Sequence, residues 1–302
     1  MDKDLSFITI NYNGLEDTTA LISSLQRCMH TVDWEIIVVD NCSRTDEAST
    51  LNERFAKDSR VRIVRSYNNI GFAGGNNFGL RHAHGRNFMF INNDTFIEED
   101  HFDELIKRLE SDSNIGAVCP KIRFAQGKRP IQFAGFTDLS RITLRNSGIG
   151  CGEQDNGQYD QPSQTAFAHG AALLFNINTL ERAGMMSEAY FLYYEEMDWS
   201  MRMREAGLQI WYDPAQTVFH LESQSTGQQS PLRTFYMCRN RLLFARRNRT
   251  IPTRWLSYAY LAAVLLCRDI PQHLVHRRKD LAAASIRGLW AFIKMRRKDI
   301  EL

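Results

Sequence analysis

Four short runs rich in β-branched and aromatic residues each give way to polar ones: LSFITINYN (residues 5–13), EIIVVDN (35–41), VRIVRS (61–66) and FMFINNDT (88–95). The spacers between them carry helical patterning. Leu15, Ala20, Leu21 and Leu25 mark a helix within 14–30, a second helix is expected over 46–57, and a third over 99–111 precedes IGAVCPKI (115–122). Strand alternating with helix at short intervals leaves few folds. It predicts an α/β chain with a Rossmann-like, mostly parallel sheet flanked by helices. Ligands of such sheets bind beyond the carboxyl ends of the strands. Asn11, Asp40 and Asp94 all fall at such ends. Turn chemistry accounts for any one of them; three together point to a site.

Four motifs carry chemistry. NNIGFAGGNNFGL (68–80) sets Gly71, Gly74, Gly75 and Gly79 among asparagines, so the backbone can approach a ligand that the amides then bond. The same pattern also suits a glycine turn entering a helix. It is neither GxGxxG nor a Walker loop. FINNDTF (90–96) puts one carboxylate beside two amides at a strand end, which suits a hard cation carrying phosphate oxygens, or else an Asx turn. FLYYEEMDWSMRMREAG (191–207) runs aromatics into Glu195, Glu196 and Asp198. The helix dipole and an Asp198–Arg202 pair four residues apart explain Asp198 and one glutamate. A further carboxylate beside aromatic surface loses hydration, and its pKa rises toward that of a useful base. VFHLESQST (218–226) places His220 at another predicted strand end, as a ligand or a satisfied core histidine. TAFAHGAALLF (165–175) reads as a buried strand, and the polar stretch 142–166 as a long loop, a lid or an acceptor-binding loop.

Taken in order, TINYN, VVDNCS, NNIGFAGGNNFGL, INNDT, HGAALLF, FLYYEEMDWSMRMREAG, VFHLES and FYMCRNRLLF resemble the bacterial family-2 glycosyltransferases over about residues 5–245. The rhamnosyltransferase-like enzymes of O-antigen and other cell-surface polysaccharides are the nearest subgroup. The resemblance implies a GT-A fold, a nucleotide-sugar donor, a divalent metal (Mg or Mn) and inverting transfer to a glycan or lipid-linked saccharide acceptor. It further implies that Asn11 and Asp40 contact the nucleoside and that Asn69, Gly75 and Asn76 line the ribose and diphosphate. Asn92 and Asn93 belong to the same donor-binding set. Asp94 and His220 would hold the metal. Glu196, or its neighbour Glu195, would be the catalytic base. Tyr193, Tyr194, Gly170 and Arg239 would face the acceptor. Two departures stand out: the family's DxD element reads Asn92-Asn93-Asp94, and the base is Glu where the family has Asp. The best donor by subgroup is dTDP-L-rhamnose. The alternatives are a UDP-sugar (galactofuranose, glucose or an amino sugar) or a non-catalytic nucleotide-sugar-binding scaffold. Nucleotidyltransferases resemble one another in a Gly-rich basic loop after the first strand; NYNGLEDTT here has no basic residue.

Charge divides the chain. Residues 231–302 hold 16 Lys/Arg against 4 Asp/Glu, and the first 230 hold 21 against 31. The expected organisation is a GT-A domain over 1–230 and a basic amphipathic helical extension over 231–302. RWLSYAYLAAVLLCR (254–268) has 13 uncharged residues between its arginines, short of the ~20 that span a bilayer. This region is expected to rest on the inner face of the membrane, with the protein cytoplasmic and peripheral. No nucleic-acid module is present, so nucleic acid is not an expected partner. The N-terminus lacks a signal peptide, and six scattered cysteines without a CxxC pair suggest neither zinc nor disulfides.

Overall fold

The computed structural model describes residues 3–221 and 230–296, so VFHLESQST lies outside it from Glu222 onward. The strands are β1 (Lys3–Asn11), β2 (Trp34–Asp40), β3 (Val61–Arg65), β4 (Gly85–Ile91), β5 (Thr95–Phe96), β6 (Ile115–Phe124), β7 (Ile131–Phe133), β8 (Ser163–Gln164), β9 (Ala172–Asn176) and β10 (Gln209–His220). The helices are α1 (Leu15–Cys28), α2 (Glu47–Phe55), α3 (Gly71–Leu80), α4 (Phe102–Glu110), α5 (Ile177–Ala183), α6 (Glu195–Glu205), α7 (Pro231–Asn248), α8 (Ile251–Val264), α9 (Ile270–Val275) and α10 (Lys279–Lys294).

One sheet has the order β3-β2-β1-β4-β9-β6-β10-β5, with β7 on β6 and β8 on β10. Its first four strands are all parallel and set Asn11 beside Asp40, and Asp40 beside Arg65. The rest is mixed: β9 runs antiparallel to β4 and β6, β10 parallel to β6, and β5 antiparallel to β10. The parallel expectation therefore describes the first half, where consecutive strands are joined by helical crossovers.

Two strands are shorter than their apolar runs suggest. β4 stops at Ile91, because Thr95 Oγ1 donates to Asn92 O (2.7 Å) and closes a turn over Asn92–Asp94. Residues 165–171 are not strand: Thr165 Oγ1 accepts from Phe136 N (2.8 Å) and His169 Nδ1 from Ala171 N (3.1 Å). Side chains that capture backbone donors in this way compete with a ladder. The polar loop is fastened rather than loose. Buried Lys121 pairs with Asp155 (3.1 Å) and Asp160, and Tyr212 Oη donates to Tyr159 O (2.8 Å).

The main core lies between the sheet and its helices and includes Phe7, Ile36, Phe90, Phe175 and Trp199. A second apolar cluster joins Tyr190 and Tyr194 to Leu242, Leu243, Phe244 and Ala245 of α7. Ser230 caps α7, its side chain accepting from Arg233 N, and Pro231 occupies the first turn. The first helix of the basic region is thus packed against the loop that leads into α6.

Candidate active site

The carboxyl ends of β1 and β2 hold a continuous polar network. Thr18 Oγ1 donates to Asn11 Oδ1 (2.7 Å), while Asn11 Nδ2 donates to Glu47 Oε2 (2.8 Å) and Asp40 Oδ1 (3.2 Å). The Arg65 guanidinium lies 3.2 Å from Asp40 Oδ2. Asn93 Nδ2 joins through Thr18 Oγ1 (3.0 Å). Asn11 and Asp40 are fully buried. They form the floor of the strand-end region.

Asn69 Oδ1 accepts from Asn41 Nδ2 (3.1 Å) and Gly71 N (3.0 Å), which shapes the turn into α3. Gly71 has φ +75°, and a Cβ there would lie 2.2 Å from Phe191 O. Phe72 N donates to that same carbonyl (2.6 Å). Glycine here lets the entry of α3 interlock with the loop before α6. Gly75 serves packing instead. A Cβ there would strike Ile10 at 2.7 Å, so its absence seats α3 on β1. Asn76 is buried and donates to Phe72 O (3.2 Å).

The turn after β4 meets the end of β10. His220 Nε2 is 3.2 Å from Asp94 Oδ1 and 3.3 Å from Asn92 Nδ2, and its Nδ1 faces Gln132 Oε1 (2.9 Å). With the Nδ1 proton given to Gln132, Nε2 presents a lone pair beside a carboxylate. That donor set fits a divalent cation, with Gln132 orienting the imidazole from behind. Among the described residues no group of three or more His, Cys, Asp or Glu could hold a metal. Two protein ligands match a cation completed by phosphate oxygens and water.

Between these parts and α6 lies the segment 169–171. Ala171 O accepts from Asn92 N (2.9 Å), and the His169 ring sits 6.4 Å from that of His220. A Cβ on Gly170 would be 3.7 Å from Glu196 Cγ. Glu196 therefore lies beside the segment whose Ala171 carbonyl accepts from Asn92, in the turn that carries Asp94. Burial pushes its carboxyl up to about 6. Glu195 is only 3% exposed, and its Oε2 has no hydrogen-bond partner. Burial, then the charge of Glu196, holds its carboxyl well above the usual range. A base must be ionised, so activity is expected to rise with pH and level off above a limb near pH 6 in the kcat/KM profile. A flat profile from pH 5 to 8 would remove Glu196 from that role.

The approach to α6 is irregular. Phe191, Tyr193 and Tyr194 have φ of 67°, 68° and 77°. Leu192 N donates to Tyr190 O (2.8 Å), closing a γ-turn on Phe191. Tyr194 packs 5.7 Å from Phe244 in the second cluster, and Tyr193 lies under Arg233. Arg239 donates to Ala189 O (3.0 Å) and to Tyr190 O. Of the four residues assigned to the acceptor side, Gly170 lies beside Glu196, Tyr193 under Arg233 and Tyr194 in the second cluster, while Arg239 donates to carbonyls of the loop. Asp198, 1% exposed, accepts from Tyr190 Oη (2.8 Å), Arg247 Nε (3.0 Å), Asn248 Nδ2 (2.8 Å) and Arg202 Nε (3.2 Å). The spacing-based Asp198–Arg202 pair is present as one arm of a larger network. Sequence reasoning missed Gln132 and Glu47, whose partners lie far away along the chain, and Thr18, which bonds Asn11 seven residues before it.

Comparison with known proteins assigns the family. Residues 6–176 match the model of "Glycosyl transferase family 2". The chain belongs to glycosyl transferase family 2. It is therefore a glycosyltransferase, moving a sugar from a nucleotide sugar, and the expected GT-A fold is the one present. Among family 2 relatives, it is 25% identical over 295 residues to the low-salt glycan biosynthesis hexosyltransferase Agl10 of Haloferax volcanii, covering 95% of this chain and 90% of that one. It is 23% identical to the dTDP-rhamnosyl transferase RfbF of Shigella flexneri, with 96% and 97% covered. The mannosyltransferase PcManGT of Pyrobaculum calidifontis, in complex with GDP-Man and Mn2+, superposes with a TM-score of 0.59 at 17% identity, over 96% of this chain and 88% of that one. GalNAc-T7 with UDP, GalNAc and Mn2+ superposes with a TM-score of 0.63 at 13% identity, over 82% of this chain but half of that one. Both structural likenesses concern the fold.

Proposed function

We propose that this family 2 enzyme is an inverting hexosyltransferase of cell-surface polysaccharide synthesis, with L-rhamnose from dTDP-rhamnose as the leading donor. The observation that carries this chemistry is the half-buried Glu196, with its raised pKa, beside the 169–171 segment that also bonds the turn bearing Asp94. Glu196 takes the proton from an acceptor hydroxyl as that oxygen attacks the anomeric carbon. The sugar–phosphate bond breaks on the opposite face, and the nucleoside diphosphate leaves. Asp94 and His220 would hold a divalent cation, which when bound neutralises charge on the departing diphosphate. The buried network at Asn11 and Asp40 sets the shape of the nucleoside end, and Gly71 with Asn69 fixes the turn above it. RfbF supports rhamnose and Agl10 supports a hexose. A UDP-sugar is the second reading, supported by structures such as that of S. aureus TarS in complex with UDP-GlcNAc. Donor turnover across a panel of nucleotide sugars, with and without Mg2+ or Mn2+, separates the readings. Metal-dependent turnover of dTDP-rhamnose is expected, and turnover of UDP-sugars alone would replace the donor while keeping the mechanism.

The acceptor is proposed to be lipid-linked, met at the cytoplasmic face of the inner membrane. No helix among the described residues is long and apolar enough to cross a membrane. Helices α8 and α10 nevertheless expose Ile251, Trp255, Ile286, Trp290 and Ile293, each more than half accessible, in the basic part of the chain. Tryptophan beside Lys and Arg suits a headgroup region of anionic lipid. Sedimentation with vesicles containing phosphatidylglycerol is expected to capture the protein. The double substitution Trp255→Ser/Trp290→Ser should weaken capture by about tenfold or more. Equal capture by neutral vesicles, or no effect of the substitutions, would count against the surface.

A further inference from the structure

Three bulky residues of a four-residue stretch adopt left-handed backbone, a conformation that a side chain disfavours. Such a segment persists only where its surroundings over-determine it. Asn240 of α7 supplies that determination. It is fully buried, and its Nδ2 reaches Tyr190 O (2.9 Å), Leu192 O (2.6 Å) and Tyr193 O (2.9 Å). Its Oδ1 accepts from Arg239 Nε (2.7 Å), which fixes the amide's orientation, and the Arg239 guanidinium adds donors to Ala189 O and Tyr190 O. Tyr194, the residue before α6, then starts the helix: Asp198 N donates to its carbonyl (2.9 Å).

We propose that Asn240 is a positioning residue, clamping the 190–193 backbone, with its left-handed Phe191 and Tyr193, so that the first turn of α6 aims Glu196 at the acceptor. This rests on the reading of Glu196 as the base. Asn240 touches no reacting atom. It acts by holding three carbonyls in one place, which a side chain of equal size without the two N–H groups cannot do. Asn240→Asp would set oxygen against oxygen, so an isosteric change should harm at least as much as truncation.

The test compares Asn240→Ala, Asn240→Asp and Glu196→Gln in the full chain, reading kcat, donor dissociation constant and hydrogen exchange of residues 189–195. Asn240→Ala is expected to lower kcat about a hundredfold while donor affinity stays within about twofold, since small misplacement of a catalytic group has effects of that size. Exchange over 189–195 should quicken. Asn240→Asp should be no better. A variant with wild-type kcat, beside an inactive Glu196→Gln, overturns the clamp and leaves the base reading standing. If Glu196→Gln itself turns over, the base reading falls, and exchange over 189–195 alone decides: unchanged protection in Asn240→Ala overturns the clamp. Where Asn240→Ala does not fold, Asn240→Ala/Tyr193→Gly relieves one left-handed side chain. Recovery of folded protein supports the clamp, and none overturns it.

Discussion

Glu196→Gln is expected to lower kcat by about 10²–10⁴-fold, the usual contribution of a positioned base. The amide keeps the size of the carboxylate, so the course of α6 should survive. Donor binding, which the proposed roles assign to residues of β1, β2, the turn after β4 and the end of β10, should persist. The limb near pH 6 should vanish with the carboxylate that produces it. Glu195→Gln provides the contrast. Glu195 is buried beneath the first turn and held toward its neutral form, so an amide there is expected to alter rate by less than tenfold. The reverse pattern, with an inactive Glu195→Gln and an active Glu196→Gln, would transfer the base to residue 195.

Asp198→Asn should be strongly destabilising. The carboxylate sits between Arg202 and Arg247 and also accepts from Tyr190 and Asn248. An amide leaves two guanidiniums facing no charge in a largely enclosed place, at a cost of about 3–5 kcal/mol. Because Asp198 is buried, salt should screen little of that loss. Chemical denaturation at low and high ionic strength checks this. A loss that disappears in 0.5 M salt, on the order of a 5 Å screening length, would mean an exposed pair instead.

Much of this was legible in the residues. Strands β1, β2 and β6 announce themselves by continuous apolar runs, because a strand covered on both faces has no polar side to show. Asn11, Asp40, Asp94 and His220 could be found as polar groups where such runs stop. The Asp198–Arg202 pair followed from helical spacing alone. The left-handed stretch at 191–194 could not be read, since phenylalanine and tyrosine carry no preference for that backbone. It is imposed by Asn240, about fifty residues away, and by Gly71, more than a hundred residues in the other direction. The role of Gly75 was equally hidden. A glycine that admits a ligand and one that admits an isoleucine look alike until the helix is seated on its strand. Strand β9 misled for a related reason: its apolar run continues upstream of residue 172, but hydrogen bonds to Thr165 and His169 bend the chain there.

The interlock of Gly71 with the Phe191 carbonyl bears on how such enzymes can be recombined. The family match ends at residue 176, and the loop bearing Phe191 begins soon after. A splice at that boundary would put Gly71 and the carbonyl it accommodates in different parents. The seam is not neutral. A first part with any side chain at position 71 would drive a Cβ into a backbone oxygen, which no rotamer change relieves. Such a graft therefore needs glycine at position 71 of the first parent, a requirement set by a backbone atom of the second.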